Sequence, residues 1–270
     1  MDKLKIPDQP DPSTGSATAV APSNIAFLKY WGNVDAGRRL PYNDSLSMTL
    51  DAATTTTTVT FADSAQADRL TIDGAVHDGA ALSRVTRQLD RVRARAGITA
   101  AARVESHNTF PMGTGIASSA SAFAALTVAA CAAAGLSLDE RALSALARRG
   151  SGSAARSVPA GFVAWRSGAS DEESWAETIH PPEHWDLRDL VAVVSDAHKQ
   201  VGSGGGHALA TSSALFAGRL GHLPQRLTAM RKAIAERNLA ALGPELEAEA
   251  FELHAVALSS RPPSFGSRLR

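Results

Sequence analysis

Cysteine is almost absent from this chain: one, Cys131, stands among 270 residues. A lone thiol inside an alanine-rich apolar run excludes a disulfide framework and reads as core, in a protein of a reducing compartment. Net charge is missing too, with Lys+Arg and Asp+Glu equal at 27 each. No overall field draws such a chain to nucleic acid or to an acidic membrane face, so a charged ligand needs a local cluster. Aromatics are only 5% of the residues and are not interleaved with basic ones, which argues against a nucleic-acid surface. The longest apolar stretch, 123–134, is too short and too rich in alanine to span a bilayer. Behind the two N-terminal lysines comes "PDQPDPSTGSATA", a floppy polar leader over 1–17 and not a signal peptide. A cytoplasmic protein with no membrane partner is expected.

Several chemistries lack their motif. No Gly-Lys-Ser/Thr closes a Walker A loop, and no strand leads into Gly-x-Gly-x-x-Gly. The nearest approach to a Gly-x-Ser-x-Gly elbow is Ser203, but Val201 occupies the first glycine position. His180 and His184 are four apart, yet Pro181 and Pro182 lie between them and bar a shared helix face for zinc. No metal site is expected from protein ligands alone.

What is present is a mixture of strands and helices. "ATAVAPSNIAFLKYW" has strand character that breaks at Pro22 and resumes over 25–28. "TTTTTVTF" is β-branched and alternating, "RLTIDG" ends on an Asp-Gly turn signal, and "AARVESH" and "GFVAW" read as short strands. Leu82, Val85, Leu89 and Val92 mark a helix over 82–96. A second follows to Ala134 and stops at Gly135; a third covers 139–149. "DLVAVVSD" reads as the most apolar strand, "KQVGSGGGHA" as a glycine-rich loop, and 223–238 and 244–258 as the clearest late helices. This order predicts an α+β fold, with a domain boundary near 167–182.

Four stretches suit an anion. In "PMGTGIASSASAF" small residues precede a helix, so backbone N–H groups and the helix N-terminus can approach a phosphate, with Ser118, Ser119 and Ser121 as further donors to it or to a metal bound there. A plain serine cap on a closely packed helix is the competing reading. "RRGSGSAARS" offers Arg156 with its fork of donors; alternatively it is a helix end capped by Gly150 with solvent-facing arginines. "FLKYWGN" sets Lys29 among aromatics, where it needs an anionic partner or must snorkel. In "HKQVGSGGGHALATSS", Thr211 and Ser212 either cap the next helix or touch a ligand.

"APSNIAFLKYWGN", "LPYNDSLSMTL", "NTFPMGTGIASSASAFAAL", "ARRGSGSAARSVPAGFVAW" and "VVSDAHKQVGS" together resemble the mevalonate diphosphate decarboxylase family, a branch of the GHMP small-molecule kinases. The resemblance runs in order from Thr18 to Phe265. It implies a two-lobe α+β fold: a GHMP kinase lobe over 18–175, like ribosomal protein S5 domain 2, and a ferredoxin-like lobe over 176–270, the latter incomplete. The implied activity is ATP- and Mg2+-dependent decarboxylation of mevalonate 5-diphosphate to isopentenyl diphosphate, by a homodimer.

The resemblance also assigns residues. Gly113, Thr114, Gly115, Ala117, Ser118 and Ser119 match the ATP phosphate loop, Ser119 reaching the γ-phosphate. Tyr30, Trp31, Gly32 and Asn33 match a substrate-contacting run beside a catalytic Lys29. Arg84 matches an arginine that binds the terminal phosphates, and Thr211 a further contact. Ser151, Gly152, Ser153, Ala154, Ala155 and Arg156 match the loop that holds diphosphate and carboxylate, Arg156 acting on the carboxylate.

Three departures qualify the match. Asn33 stands where the family has lysine, which leans towards a monophosphate substrate and isopentenyl phosphate as product. "VGSGGGHALA" replaces a serine-threonine pattern. The family continues past the position of Arg270 to an Asp-Ala-Gly-Pro-Asn stretch whose aspartate is the candidate base. A mevalonate-type kinase, or a catalytically impaired nucleotide-binding remnant, are the readings that this last departure leaves open.

Overall fold

The computed structural model describes residues 15–110, 118–191 and 203–263. Its frame is one long antiparallel pair, β1 (Ser16–Leu28) beside β4 (Ser45–Ala62). Period-two alternation turns Ala17, Ala19 and Ala21 of β1, with Thr55, Thr57, Val59 and Phe61 of β4, inward. On the other face hydroxyls pair across the strands, Thr18 with Thr58 at 2.7 Å and Ser16 with Thr60 at 2.8 Å. The register slips between Pro22 and Ser23, where the proline ring removes a ladder donor. The expected break is therefore a bulge within one strand.

Either side of that bulge the pair serves a different core. The β1 start and β4 end join β7 (Ala101–Asn108) and β5 (Arg69–Ile72) under three helices: α1 (Gly79–Ala96), α2 (Ser118–Ala133) and α3 (Glu140–Gly150). Phe27, Leu28, Leu46 and Met48, at the other end, pack with β8 (Phe162–Trp165) against α5 (Phe216–Ala235) and α6 (Leu239–Ser259). The sheet has seven strands in the order β6-β5-β7-β4-β8-β9, with β1 added on β4; β6 is Ala75–Val76 and β9 is Ala176–His180. Among the described residues only the β5–β7 pairing is parallel. The Asp-Gly signal makes the β5–β6 turn, Asp73 (φ 48°) and Gly74 (φ 82°) both being left-handed. β2 (Asn33–Asp35) and β3 (Leu40–Pro41) form a separate ribbon.

Some expectations need correcting. The glycine-rich stretch is helical from Ser203, as α4 (Ser203–Leu209). α5 begins ahead of the expected 223 and α6 ahead of 244, so Pro224 and Pro244 lie inside helices. Burial of Phe216 and Arg219 in α5 and of Leu242 in α6 holds those early turns despite the missing donors. Between His180, at the end of β9, and His184 the prolines leave only a 3-10 turn (Pro182–His184), which still stacks the two rings, 4.1 Å apart. The "DLVAVVSD" strand lies, beyond Val191, outside the described residues.

Candidate active site

β1 ends at Leu28, and the next four residues turn the chain into β2. Gly32 makes the turn possible. Its φ is +83°, and a Cβ there would stand 3.0 Å from Phe216, 3.1 Å from Tyr42 and 3.2 Å from Ala210. The turn is held from behind by its backbone. Lys29 N–H donates to Glu249 Oε1 (3.1 Å), while Lys29 C=O accepts from Arg219 (2.9 Å) and Asn43 (3.1 Å). Arg219 and Glu249 are themselves a buried ion pair at 2.6 Å, each side chain 1% exposed. The Lys29 ammonium folds back onto Ala26 C=O (2.9 Å).

Tyr30 is the centre of the arrangement. Its ring meets Trp165 edge-on at 4.8 Å, and its hydroxyl donates to Asn33 Oδ1 at 2.6 Å. Burial pushes its phenol up to about 12, against the opposing pull of Arg39, the Asn33 bond, Arg156 and Arg148. The ring lies so close to Gly152 that a Cβ there would stand 2.6 Å from it. Gly152 opens a 3-10 turn (Gly152–Ser157) that follows α3 directly. Asp139 caps the start of α3 by accepting from Ala142 N–H at 2.8 Å, and extended Ser151 ends the helix. Gly150 is therefore not a left-handed cap, and the two arginines before it are not solvent-facing. Arg148 is fully buried and ion-paired with Asp171, which also takes Arg149 at 2.5 Å.

The 3-10 turn buries Ala154 and Ala155 and aims Arg156 into the protein, where it is 4% exposed. All its described hydrogen bonds go to neutral groups: Ser45 Oγ (2.8 Å) and Asn24 Oδ1 (3.2 and 3.3 Å), with Trp165 under the guanidinium at 5.7 Å. Burial draws its pKa down to about 10. A buried cation without a carboxylate is costly, and an anionic ligand is the group that would complete it. Asn24 in turn donates to Ser157 Oγ (2.8 Å) and Ser153 C=O (3.2 Å), so β1 and the turn fix one another.

The same turn reaches α2. Ser119 Oγ lies 3.2 Å from Ser151 Oγ, and Ser151 Oγ lies 3.4 Å from Ser153 Oγ, a row of hydroxyls from helix start to turn. Gly113, Thr114, Gly115 and Ala117 lie outside the described residues; Ser118 and Ser119 are half-buried. No acidic residue occupies the first turn of α2, so no carboxylate of its own offsets its positive end. Ser121, however, is spent on structure: it is buried and accepts from Thr55 of β4 at 2.7 Å.

The remaining candidates lie around this centre. Arg84, exposed on α1, holds its guanidinium 4.8 Å over Phe123, with Arg39 and Arg87 within electrostatic reach. Thr211 is exposed on a 3-10 turn (Ala210–Ser212) that packs behind Gly32. It does not cap α5; Ser213 Oγ accepts from Leu215 N–H there (3.1 Å). Trp31 is half-buried, its indole Nε1 buried with no partner among the described residues. Two groups were not foreseen: His207, stacked on Tyr30 at 4.0 Å, and Arg39, whose Nε donates to Arg149 C=O at 3.1 Å and whose charge acts on both Tyr30 and His207. The neutral chain thus has its local cationic cluster. Among the described residues no group of three or more His, Cys, Asp or Glu could hold a metal, and no helix is long and apolar enough to cross a membrane.

A mixed α+β frame that joins a small-residue helix start, a row of hydroxyls and a buried guanidinium defines an enzyme of the kind that handles small, multiply charged anions. Comparison with known proteins makes this specific. Residues 21–176 match the family model for the diphosphomevalonate decarboxylase-like N-terminal domain, and residues 189–266 that for the mevalonate 5-diphosphate decarboxylase C-terminal domain. A diphosphomevalonate decarboxylase of Ganoderma lucidum is 38% identical over 94% of this chain and 68% of its own. A phosphomevalonate decarboxylase of Haloferax volcanii is 36% identical over 90% of this chain and 74% of its own. A solved structure, MDDEF in complex with MVAPP, AMPPCP and magnesium, superposes with a TM-score of 0.86 at 38% identity, covering 93% of this chain and 77% of that one. The chain belongs to the diphosphomevalonate decarboxylase family, and its fold is the α+β, GHMP-type fold of that family's solved members.

Proposed function

We propose that the protein catalyses ATP-dependent decarboxylation of mevalonate 5-diphosphate to isopentenyl diphosphate, a step of isoprenoid biosynthesis. The observation that carries the reading is Arg156, a buried guanidinium whose partners among the described residues are neutral, beside hydroxyls that continue to the start of α2. In this reading the γ-phosphoryl group of ATP passes to the substrate's tertiary 3-hydroxyl oxygen, as its bond to ADP breaks and the hydroxyl proton leaves to water. The C3–O bond then breaks with loss of phosphate, and the C1–C2 electron pair becomes the new double bond as CO2 leaves. Positioning and charge stabilisation dominate such transfers. Arg156 holds the carboxylate against the positive charge developing at C3, and Ser119 meets the γ-phosphoryl oxygens. Ser151, Gly152 and Ser153 carry substrate along the Tyr30–Asn33 turn. Mg2+ would be held by the nucleotide's phosphates with serine hydroxyls, because no carboxylate lies in the first turn of α2.

The same chemistry on the monophosphate is the second reading. Asn33 is neutral, and its acceptor is already engaged by Tyr30, so this position supplies no cation for a second phosphate. The Haloferax volcanii relative acts, by name, on phosphomevalonate. The test is release of CO2 and inorganic phosphate from mevalonate 5-diphosphate and mevalonate 5-phosphate, side by side with ATP-Mg2+. Preference for the diphosphate supports the first reading and preference for the monophosphate the second; ADP production without CO2 refutes both. We read the protein further as a two-lobed cytoplasmic homodimer divided near 175, which sedimentation and limited proteolysis would check.

A further inference from the structure

We propose that His207 is a substrate-binding residue, a neutral imidazole whose Nε2–H is offered to an anionic oxygen of the substrate. The proposal rests on the reading above only in taking the Tyr30–Asn33 turn as a substrate contact. His207 lies on α4, whose other residues are serine, glycine, alanine and leucine, and it is the titratable side chain of that helix. Its ring stacks on Tyr30 at 4.0 Å with 23° between the planes, and stands 4.7 Å from Trp31. Gly32 N–H donates to its Nδ1 at 3.0 Å. That bond makes Nδ1 the acceptor and so places the ring hydrogen on Nε2. Aromatic stacking on one side and a backbone donor on the other leave the imidazole one orientation, with Nε2 on the edge away from Gly32. Nε2 donates to no described residue.

The electrostatics select the ligand. Burial, with the charges of Arg39 and Arg156, opposes protonation of the ring. A neutral donor within electrostatic reach of two arginines can be used by an anion without adding a third charge that must be compensated when the site is empty. A cationic or apolar ligand gains nothing from it. The anionic oxygen could belong to phosphate or to carboxylate, which the measurement must separate.

Two measurements on the full chain decide the matter. In the first, histidine is labelled with 15N and the His207 Nε2–H resonance, assigned by its loss in His207→Gln, is followed as ligand is added. Mevalonate 5-diphosphate should move it. Inorganic pyrophosphate moving it alone assigns a phosphate oxygen, and mevalonate moving it alone a carboxylate; a histidine of purely structural role responds to none of the three. In the second, affinity is measured by calorimetry. His207→Phe keeps the stacking but loses both nitrogens and should weaken mevalonate 5-diphosphate about 10- to 100-fold, the range for a hydrogen bond to a charged group. His207→Gln, which can accept from Gly32 and still donate, should recover most of it, and AMPPCP binding should change in neither. Wild-type binding with an unmoved His207 resonance, or unchanged affinity in His207→Phe, overturns the proposal and leaves the function standing. A wild-type protein that binds AMPPCP but no phosphorylated mevalonate overturns the functional reading, and this proposal with it.

Discussion

Gly152→Ala is the smallest change that should disturb the site, and its size follows from the packing. The added methyl carbon would lie 2.6 Å from Tyr30 Cε1, 2.9 Å from Cζ and 3.0 Å from Oη. Comfortable carbon–carbon contact begins near 3.5 Å, so ring and turn must separate by roughly 1 Å. The ring has nowhere to go. Trp165 abuts it edge-on, His207 stacks on it, and its hydroxyl is tied to Asn33. Overpacking of this kind costs about 1–3 kcal/mol. At roughly 2–4 °C per kcal/mol for a chain of this size, the melting temperature should fall by about 4–8 °C for a mid-range penalty. If instead the backbone yields, Ser151 and Ser153 move with it, and a displacement near 1 Å in a positioning group is worth about 10²-fold in turnover. A thermal melt with steady-state kinetics reads both outcomes. Gly221→Ala is the control: nothing lies within 4 Å of a Cβ at this helical position, and alanine there should stabilise by about 0.5–1 kcal/mol. A Gly152→Ala protein with unchanged melting temperature, KM and kcat would mean that Tyr30 does not rest on this turn in the working enzyme.

Other perturbations test separate parts. Arg156→Lys keeps the charge but cannot bond Ser45 while presenting two parallel donors to Asn24 Oδ1; turnover or substrate affinity should drop by an amount equivalent to about 1.5–3 kcal/mol while nucleotide affinity, by calorimetry, stays put. Arg219→Met leaves buried Glu249 with only a 3.5 Å contact to Arg226 and the Lys29 amide, and should cost up to about 3–5 kcal/mol in urea unfolding, most of which the double change with Glu249→Leu should restore. Burial works to raise the pKa of Asp68, but bonds from Arg93 and from Ala102 N–H (2.9 Å) hold it below the ordinary 3.8. A depressed carboxylate stabilises the fold above its unfolded pKa and loses that contribution as pH falls through the folded one. Wild-type stability should therefore decline below about pH 4 more steeply than that of Asp68→Asn, in acid titrations followed by circular dichroism.

Local sequence signals carried the first core well. The spacing of Leu82, Val85, Leu89 and Val92, the helix over 139–149, the stop at Gly135 and the Asp73–Gly74 turn each match an element, an element end or a buried stripe. They match because each is decided within a few residues. The first half of β4 was not read as a strand: "SLSMTLDAA" has serine at buried positions that are polar by composition and inward by register. The site divides the same way. The small residues and hydroxyls before α2 and after α3 declared an anion site without its partners, and their grouping was legible only through the family resemblance. Arg148 looked like a surface residue because its partner, Asp171, comes 23 residues later. His207 had no neighbour in sequence to mark it, since everything that gives it meaning, Tyr30, Trp31 and Gly32, lies about 175 residues earlier.

The clamp on Lys29 has a consequence for how the protein comes into being. Glu249, which receives the Lys29 amide, is 220 residues downstream of it, and Arg219, which meets the carbonyl, is 190 downstream. During synthesis at about 5–20 residues per second the Tyr30–Gly32 turn therefore emerges roughly 10–40 seconds before the helices that fix it. Until α5 and α6 leave the ribosome, β1 can pair with β4 and complete the first core, but the aromatic turn has no backing. Ligand binding at the turn should thus be the last property a nascent chain acquires, after the first core is already protected from proteolysis.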